Sequence, residues 1–560
     1  MHSSTRTYEG AVSVLNACVP VSIIKTSGQD LRRERYCRSL TYLSALGISE
    51  AQIKQLNVIH VAGSKGKGST CCIIENVLRH LGLKTGFLSS PHLINVEERI
   101  RINGKPIDRG LFSDLFWSIH DQITPYTESS GIPSPGYLHY IILMACKAFI
   151  DQKVDAAIIE VGMGGRFDHT NFFSTPAVSV VTHLCLEHTP ILGNTLAEIA
   201  WRKAGIFKPH CYAVVSRDQT DEVMRVFEQE ADLVHCPLFV APSAEEIMVL
   251  IENSNNQDHD KLTTNLASLC KSCLPDGTTT RFSNIELGLT AVHLWMQHRK
   301  GIVSDTIGLQ PCPSIVLPQD SVNTALKTHW PGRWHKVYRK NAVYFIDGAH
   351  TEDSIQSIAE WFQSAWPTTG SGSSVLRVLI FTVLGPRDPQ PMLESLYRIV
   401  QPGFDLVLFL NPHPTGSVSP AGKESQHEHC LTCWLSLNST GVPTTSLTGS
   451  VNDLTRLIAW IDQAPRLTRD CLLDFIRSRE TAISTAEPSC NSYDIVEHCD
   501  TTTELCHILI TGSLYLVGDA LKALNEPVHQ KPGPLQPNSL ATQMNNGKSA
   551  GIFSVQESVL

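Results

Sequence analysis

The chain reads as two successive α/β units: a doubly wound, mostly parallel sheet domain and then a smaller Rossmann-like α/β domain. Three observations carry this reading. Short β-branched runs alternate with helix-length segments from Val58 to about Val215, the pattern of parallel strands joined by crossover helices. Pro311, Pro313 and Pro318 punctuate a connector leading to Trp330-Pro331-Gly332-Arg333, beyond which the same alternation resumes. A length of 560 residues also exceeds what one ordinary core serves.

The elements follow in order. Val58-Ile59-His60-Val61-Ala62 is a strand, and Cys71 to Leu78 is the start of an amphipathic helix. Tyr137 to Ile150 reads as a helix, and Ala156 to Val161 and Ala177 to Thr182 as strands buried on both faces. Asn253 to Thr280 is polar and reads as a loop or insertion, before Ile285 to Gln297 resumes a helix. In the second unit Ala342 to Ile346 is a strand ending at Asp347, followed by strand candidates Val375 to Leu384, Leu406 to Leu410 and Ile508 to Thr511. About Pro412 to Thr503 reads as an irregular insertion with some helix of its own. After Asn525, Pro, Gln, Asn and Ser dominate, as in disordered tails. The expected boundaries are 1–328, 329–525 with an insertion at about 412–503, and a tail over 526–560.

Composition narrows the function classes. Hydrophobic residues at 42% and charged residues at 18% describe a globular protein. A net charge of −9 without a basic stripe argues against a nucleic-acid binder. An anionic substrate then needs local cations, helix ends or a metal. The seventeen cysteines are scattered, several in apolar runs, as buried thiols are in a reducing cytosol. No apolar run reaches the roughly 18–20 residues that span a membrane. Met1 to Arg6, followed closely by Glu9, is too short for a transit peptide. Cytoplasm is therefore expected, with a mitochondrial form through an alternative start left open.

The most informative stretch is Gly63-Ser64-Lys65-Gly66-Lys67-Gly68-Ser69-Thr70, between the Val58 strand and the Cys71 helix. Glycines let backbone N–H groups approach phosphate oxygens, and the helix N-terminus favours an anion. The spacing departs from the usual phosphate loop: two residues separate Gly63 from Gly66-Lys67, and Gly68 intervenes before Ser69. Glu160 ends an apolar strand beside Gly162, Gly164 and Gly165, where a nucleotide-hydrolysing enzyme places a magnesium ligand. His183, Glu187 and His188 follow the next strand; topology alone does not separate His188 from His183. Asp347 follows a strand directly, and Arg333 in its Trp-Pro-Gly-Arg turn suits phosphate charge. The local pattern does not distinguish Lys203 from a surface lysine. His427, His429, Cys430 and Cys433 resemble half a zinc site, but crowd into seven residues without the second pair that zinc spacings require.

Taken together, these segments resemble the folylpolyglutamate synthase family of the Mur ligase superfamily. The resemblance rests on the Gly-Lys-Gly-Ser loop and on Leu83 to Leu93 running on to Gly104. It extends through Glu160 to Asn171, Leu192 to Lys208, Trp330 to Arg333, Asp347 to His350 and Thr511 to Gly518. It implies an ATP-dependent ligase that adds L-glutamate to the γ-carboxyl of a reduced folate through an acyl phosphate, with its active site in a cleft between the two domains. By the same resemblance Gly66, Lys67, Gly68 and Ser69 hold the ATP phosphates, and Arg333 and Asp347 contact ATP. Ser90, Glu160 and His188 match magnesium ligands, and Lys203 matches a lysine carbamylated in related enzymes. ATP and Mg²⁺ are the implied cofactors, with K⁺ or another monovalent cation as an additional candidate. The partners are small molecules acting on a monomer. Departures are Glu187 for the usual Asp, Gly385-Pro386-Arg387-Asp388 for Gly-Asp-Arg-Asp, and Tyr137-Leu138-His139-Tyr140 for a Phe-Arg-Phe segment. The rival readings are a dihydrofolate synthase or bifunctional enzyme, and an inactive nucleotide- or folate-binding protein.

Overall fold

The computed structural model describes residues 6–18, 38–251, 262–273, 279–302, 307–310, 312, 314–365, 375–385, 387–411, 426–437, 445–464, 471 and 506–528. The chain passes from one compact unit to a second between Trp330 and Pro331. The tail expected over 526–560 lies outside the described residues after 528, as do Pro311, Pro313 and Pro386.

The first unit is built on a nine-stranded sheet. Its strands are β1 (Ile59–Ala62), β2 (Thr85–Leu88), β3 (Ile100–Ile102), β4 (Lys105–Pro106), β5 (Ala156–Glu160), β6 (Val178–Val181), β7 (Tyr212–Val215), β8 (Pro237–Val240) and β11 (Gly308–Gln310). They lie in the order β11-β8-β7-β6-β1-β5-β2-β3-β4, with every pairing parallel except β2·β3 and β3·β4, so that β3 alone runs against the rest. The chain steps from β1 over β5's place to β2, then returns to fill β5 and crosses to β6. That reversal makes the carboxyl end of β1 the switch point where open α/β sheets bind ligands.

Burial explains why these strands are apolar throughout. Ile59, Val61, Ile158, Val178 and Val180 face one core with helix α2 (Lys67–His80) and helix α4 (Thr279–Arg299). Ala157 and Ile159 face the opposite core, beneath the helices Arg109–Ser130 and Tyr137–Asp151. The crossing of α2 and α4 is close: a Cβ on Gly288 would stand 2.8 Å from Ile73 Cγ2. Helix α1 (Tyr8–Ala17) packs Ala11 and Leu15 into the second core. Helix α3 (Leu196–Ala204) buries Ile199 and Ala200 in a third.

The polar stretch expected as a loop contains regular structure. β10 (Leu262–Asn265) pairs antiparallel with β9 (Met248–Ile251), which is parallel to β12 (Val316–Pro318). The helix Leu266–Cys273 follows directly. Asn265 Oδ1 accepts from Ser268 N at 3.0 Å and Leu266 is fully buried, two local signals inside an otherwise polar run.

The second unit is a six-stranded sheet of β13 (His335–Tyr338), β14 (Ala342–Ile346), β15 (Leu376–Phe381), β16 (Leu406–Asn411), β17 (Thr445–Ser450) and β18 (Cys506–Thr511). Its order is β13-β14-β18-β15-β16-β17, with β13 alone antiparallel. The last strand therefore inserts between β14 and β15. The 412–503 stretch expected to be irregular contributes β17 at the edge, helix α6 (Gln426–Leu437) and helix α7 (Val451–Gln463). Leu454, Leu457, Ile458 and Ile461 recur at helical spacing and are buried, which is what orders α7. Residues 412–425, 438–444, 465–470 and 472–505 lie outside the described residues.

Candidate active site

The loop after β1 is shaped by its glycines. Gly63 (φ 146°) and Gly66 (φ 90°) both lie where side chains are strained. A Cβ on Gly63 would fall 1.8 Å from Thr182 Oγ1, and one on Gly66 would fall 2.1 Å from Asn284 Oδ1. Gly66 caps α2, so Lys67, Gly68 and Ser69 occupy its first turn, where backbone N–H groups lack helical partners. The loop is tied to the segment after β6: Ser64 N and Lys65 N donate to His183 O at 3.1 Å, and Ser64 Oγ donates to Cys185 O at 3.1 Å.

Two lysines converge on the loop. Lys67 Nζ donates to Gly63 O at 2.9 Å and Ser64 O at 3.3 Å, which holds its ammonium against the loop backbone. Lys203, on α3, is 1% exposed; its Nζ donates to the same Gly63 carbonyl at 2.7 Å and to Glu187 Oε1 at 3.0 Å. Burial and the nearby Lys67 charge lower Lys203 to about 8, against the pull of Glu187. For Glu187 burial acts upward, but Lys203 and Lys67 outweigh it and hold the carboxyl at about 2.

Glu160 ends β5 and is 6% exposed, with Oε2 accepting from Ser90 N at 2.9 Å. Its Oε1 lies 3.7 Å from where a Cβ on Gly68 would stand, so the carboxylate abuts the first turn of α2. The ring of Trp330 borders the same glycine, with Nε1 3.1 Å from that position. Trp330 packs at a tilt against Phe87 (5.5 Å between centroids) and lies under the Arg101 guanidinium (4.8 Å). The segment after Ser90 is fixed by Glu98, which accepts from Leu93 N and Ile94 N at 2.9 Å and from Asn95 N at 2.6 Å. Glu97 beside it accepts from Tyr8 Oη at 2.6 Å. Arg99 Nε donates to His92 Nδ1 at 3.0 Å; burial first, then the Arg99 charge, lowers His92 to about 4.

The structure treats the two histidines differently. His183 Nδ1 donates to Asp218 O at 2.8 Å, and its carbonyl is engaged by the loop. His188 is exposed, with φ 48°, at the start of the short helix Thr189–Leu192. In the second unit Asp347 follows β14, is 4% exposed, and accepts from Trp334 N at 2.8 Å. Arg333 Nη1 donates to Gly332 O at 3.1 Å, and a Cβ at position 348 would come 2.5 Å from that nitrogen.

The predicted residues Gly66, Lys67, Gly68, Ser69, Ser90, Glu160 and Lys203 thus belong to one neighbourhood of the first unit. Thr182 and Asn284 were not legible as part of it. Asn284 Oδ1 accepts from Thr70 Oγ1 at 3.2 Å across 214 residues of sequence, and nothing local in either segment signals that meeting. A carboxylate and a hydroxyl are hard oxygen donors suited to Mg²⁺, so Glu160 and Ser90 fit that ion by chemistry. Imidazole is a softer partner.

Fold and loop together define a two-unit α/β protein with a glycine-rich loop at the topological switch point of its first sheet. Solved structures share the fold. They include Mycobacterium tuberculosis folylpolyglutamate synthase complexed with ADP, at TM-score 0.62 and 21% identity over 92% of this chain and 99% of that one. Escherichia coli FolC in complex with DHPP and ADP gives TM-score 0.58 at 20% identity over 92% and 97%. No family model matches. The mitochondrial folylpolyglutamate synthase of Bos taurus is 36% identical over 420 residues, 72% of this chain and 68% of that one. The Cricetulus griseus enzyme of the same description is 30% identical over 581 residues, 93% and 92% of the two chains. The chain belongs to the folylpolyglutamate synthase family.

Proposed function

We propose that the protein is an ATP-dependent ligase joining L-glutamate to the γ-carboxyl of tetrahydrofolate and of folylpolyglutamates, as the names of its relatives indicate for them. The observation that carries the reading is the Gly63–Ser69 loop at the end of the central strand, with the Lys67 ammonium held against the loop's own carbonyl and the Glu160 carboxylate abutting its first helical turn. A carboxylate is a poor acyl donor and must be activated. An oxygen of the folate γ-carboxylate attacks the γ-phosphorus of ATP, the bond to the bridging oxygen breaks, and ADP leaves. The glutamate amine then attacks the acyl carbon. Inorganic phosphate departs and the nitrogen loses a proton.

Each residue has an electrostatic or positioning task. Lys67 and the N–H groups of Gly66 to Ser69 hold the phosphates and offset the charge that gathers as carboxylate meets triphosphate. Glu160 and Ser90, with His188 by family resemblance, would hold Mg²⁺, which would supply further charge neutralisation when bound. Lys203 is assigned as an ammonium paired with Glu187; a carbamate there would set a second anion against that carboxylate. This pair fixes the Gly63 carbonyl and with it the entry to the loop. Arg333 and Asp347 are assigned to the nucleotide. Tyr137 to Tyr140, where the family pattern differs, are assigned to folate preference. The buried cysteines support a reducing compartment, and no described helix is long and apolar enough to cross a membrane. The cytosol is the proposed location.

The acyl phosphate is tested by isotope transfer. Folate labelled with ¹⁸O in the γ-carboxyl should pass one labelled oxygen to inorganic phosphate per glutamate added. Phosphate free of label would exclude this route.

A further inference from the structure

The sequence places His427, His429, Cys430 and Cys433 together, without zinc-like spacing. The fold sorts them differently. On α6, His429 and Cys433 are one turn apart and share a face, with Cys433 Sγ 3.9 Å from His429 Nε2. Cys430 lies off that face, fully buried, its thiol pushed up to about 12 chiefly by burial. The third member comes from 41 residues upstream, from the loop between β15 and helix α5 (Gln390–Ile399). Asp388 Oδ1 stands 4.0 Å from the same His429 Nε2. The three ligand atoms all lie within 4.8 Å of one another.

We propose that Asp388, His429 and Cys433, none of them among the residues assigned to the nucleotide, form a site for a divalent cation of the zinc class. A tetrahedral zinc ion, with bonds of about 2.3 Å to sulfur and about 2.0–2.1 Å to nitrogen and oxygen, sets sulfur and nitrogen roughly 3.5 Å apart and nitrogen and oxygen roughly 3.3 Å apart. The sulfur–nitrogen separation would close by about 0.4 Å, the nitrogen–oxygen separation by about 0.7 Å, and the sulfur–oxygen separation, within 4.8 Å here, by up to about 1.3 Å. The exposed partners are those that would have to move: the His429 and Asp388 side chains are 43% and 65% exposed, while Cys433 is 7% exposed and seated in the core beside Trp434. The frame is already fixed, because Gln426 Nε2 donates to Arg387 O at 2.7 Å and ties the start of α6 to the loop. Thiolate with imidazole selects zinc over magnesium or calcium. On binding, the Cys433 sulfur replaces its proton with the metal, and the proton goes to solvent. Three protein ligands leave a fourth position for water. An exposed histidine–aspartate ion pair alone would be worth little.

The test uses the full chain, stripped with chelator and titrated with Co²⁺ as a spectroscopic substitute for Zn²⁺. One equivalent should produce a near-ultraviolet sulfur-to-cobalt charge-transfer band and the visible bands of a tetrahedral ion. Zn²⁺ should displace it. Cys433→Ser should abolish the charge-transfer band. Outer partners of a metal ligand are alone worth about 10–100-fold in affinity, so His429→Ala should weaken Co²⁺ by more than that. Because Cys433 is buried, His429→Ala and the exposed Asp388→Ala keep the test decisive if the serine variant misfolds. A cobalt spectrum without a sulfur band overturns the site. So does a sulfur band unchanged in His429→Ala and Asp388→Ala, which would belong to another of the chain's cysteines.

Discussion

Replacing Glu187 by glutamine tests the electrostatic frame of the loop. The side chain keeps its size and loses its charge, leaving Lys203 Nζ buried with only the Gly63 carbonyl and a neutral amide. At about 1.4 kcal/mol per pH unit, a carboxyl held at about 2 instead of 4.5 contributes about 3 kcal/mol at neutral pH. Losing one member of a buried ion pair costs about 3–5 kcal/mol. The two routes agree. The damage is limited because Lys203, already lowered to about 8, sheds its proton once its partner is gone. The sign with pH follows from linkage. Glu187 is depressed, so its stabilisation is complete above its unfolded value of 4.5 and is lost as pH falls towards 2. At pH 3.5 about 2 kcal/mol should remain. Lys203 is depressed too, so between about 8 and 10.5 the unfolded chain binds more protons and stability rises with pH in that window. Calorimetry of the parent and Glu187→Gln should show a Tm gap of roughly 5–8 °C at pH 7, narrowing towards pH 3.5 and again above pH 8. A gap below about 1 kcal/mol at pH 7, or one that does not vary with pH, would refute the reasoning.

The other predictions concern single groups of the first unit. Lys67→Ala should abolish labelled-glutamate incorporation while leaving the circular dichroism melt within about 1 kcal/mol of the parent, since the ammonium serves the ligand more than the fold. Gly66→Ala forces a side chain into φ 90° and onto Asn284. It should cost about 1–3 kcal/mol in thermal unfolding, and Asn284→Ala should restore only the part due to the clash. Glu160→Gln retains an acceptor for Ser90 N but removes the charge, so the Mg²⁺ concentration for half-maximal activity should rise at least about 10-fold. Tyr8→Phe removes the hydroxyl donated to Glu97 and should lower stability by about 1–2 kcal/mol in calorimetry, as for a bond to a charged group at a half-buried site.

How much was legible depended on whether a residue's role was written locally. β1, β5, β6 and β14 are buried on both faces, so each is a continuous apolar run that announces itself. β17, Thr445-Ser446-Leu447-Thr448-Gly449-Ser450, is an edge strand held by backbone pairing to β16, and its composition resembles a loop. Glu160 and Lys67 could be read because strand ends and glycine turns have a fixed place in a parallel sheet. Thr182, Asn284 and Asp388 could not, because each acquires its meaning only when a segment distant in sequence folds against it. Glu187 was visible as a departure from the family pattern. That its carboxylate grips Lys203 is a fact of geometry.

The most direct test of the ligase reading offers the purified protein ATP, Mg²⁺ and labelled L-glutamate with either tetrahydrofolate or dihydropteroate. Incorporation with tetrahydrofolate, matched by one ADP per glutamate, is the predicted result. Incorporation with dihydropteroate alone, or none with any reduced folate, would contradict it.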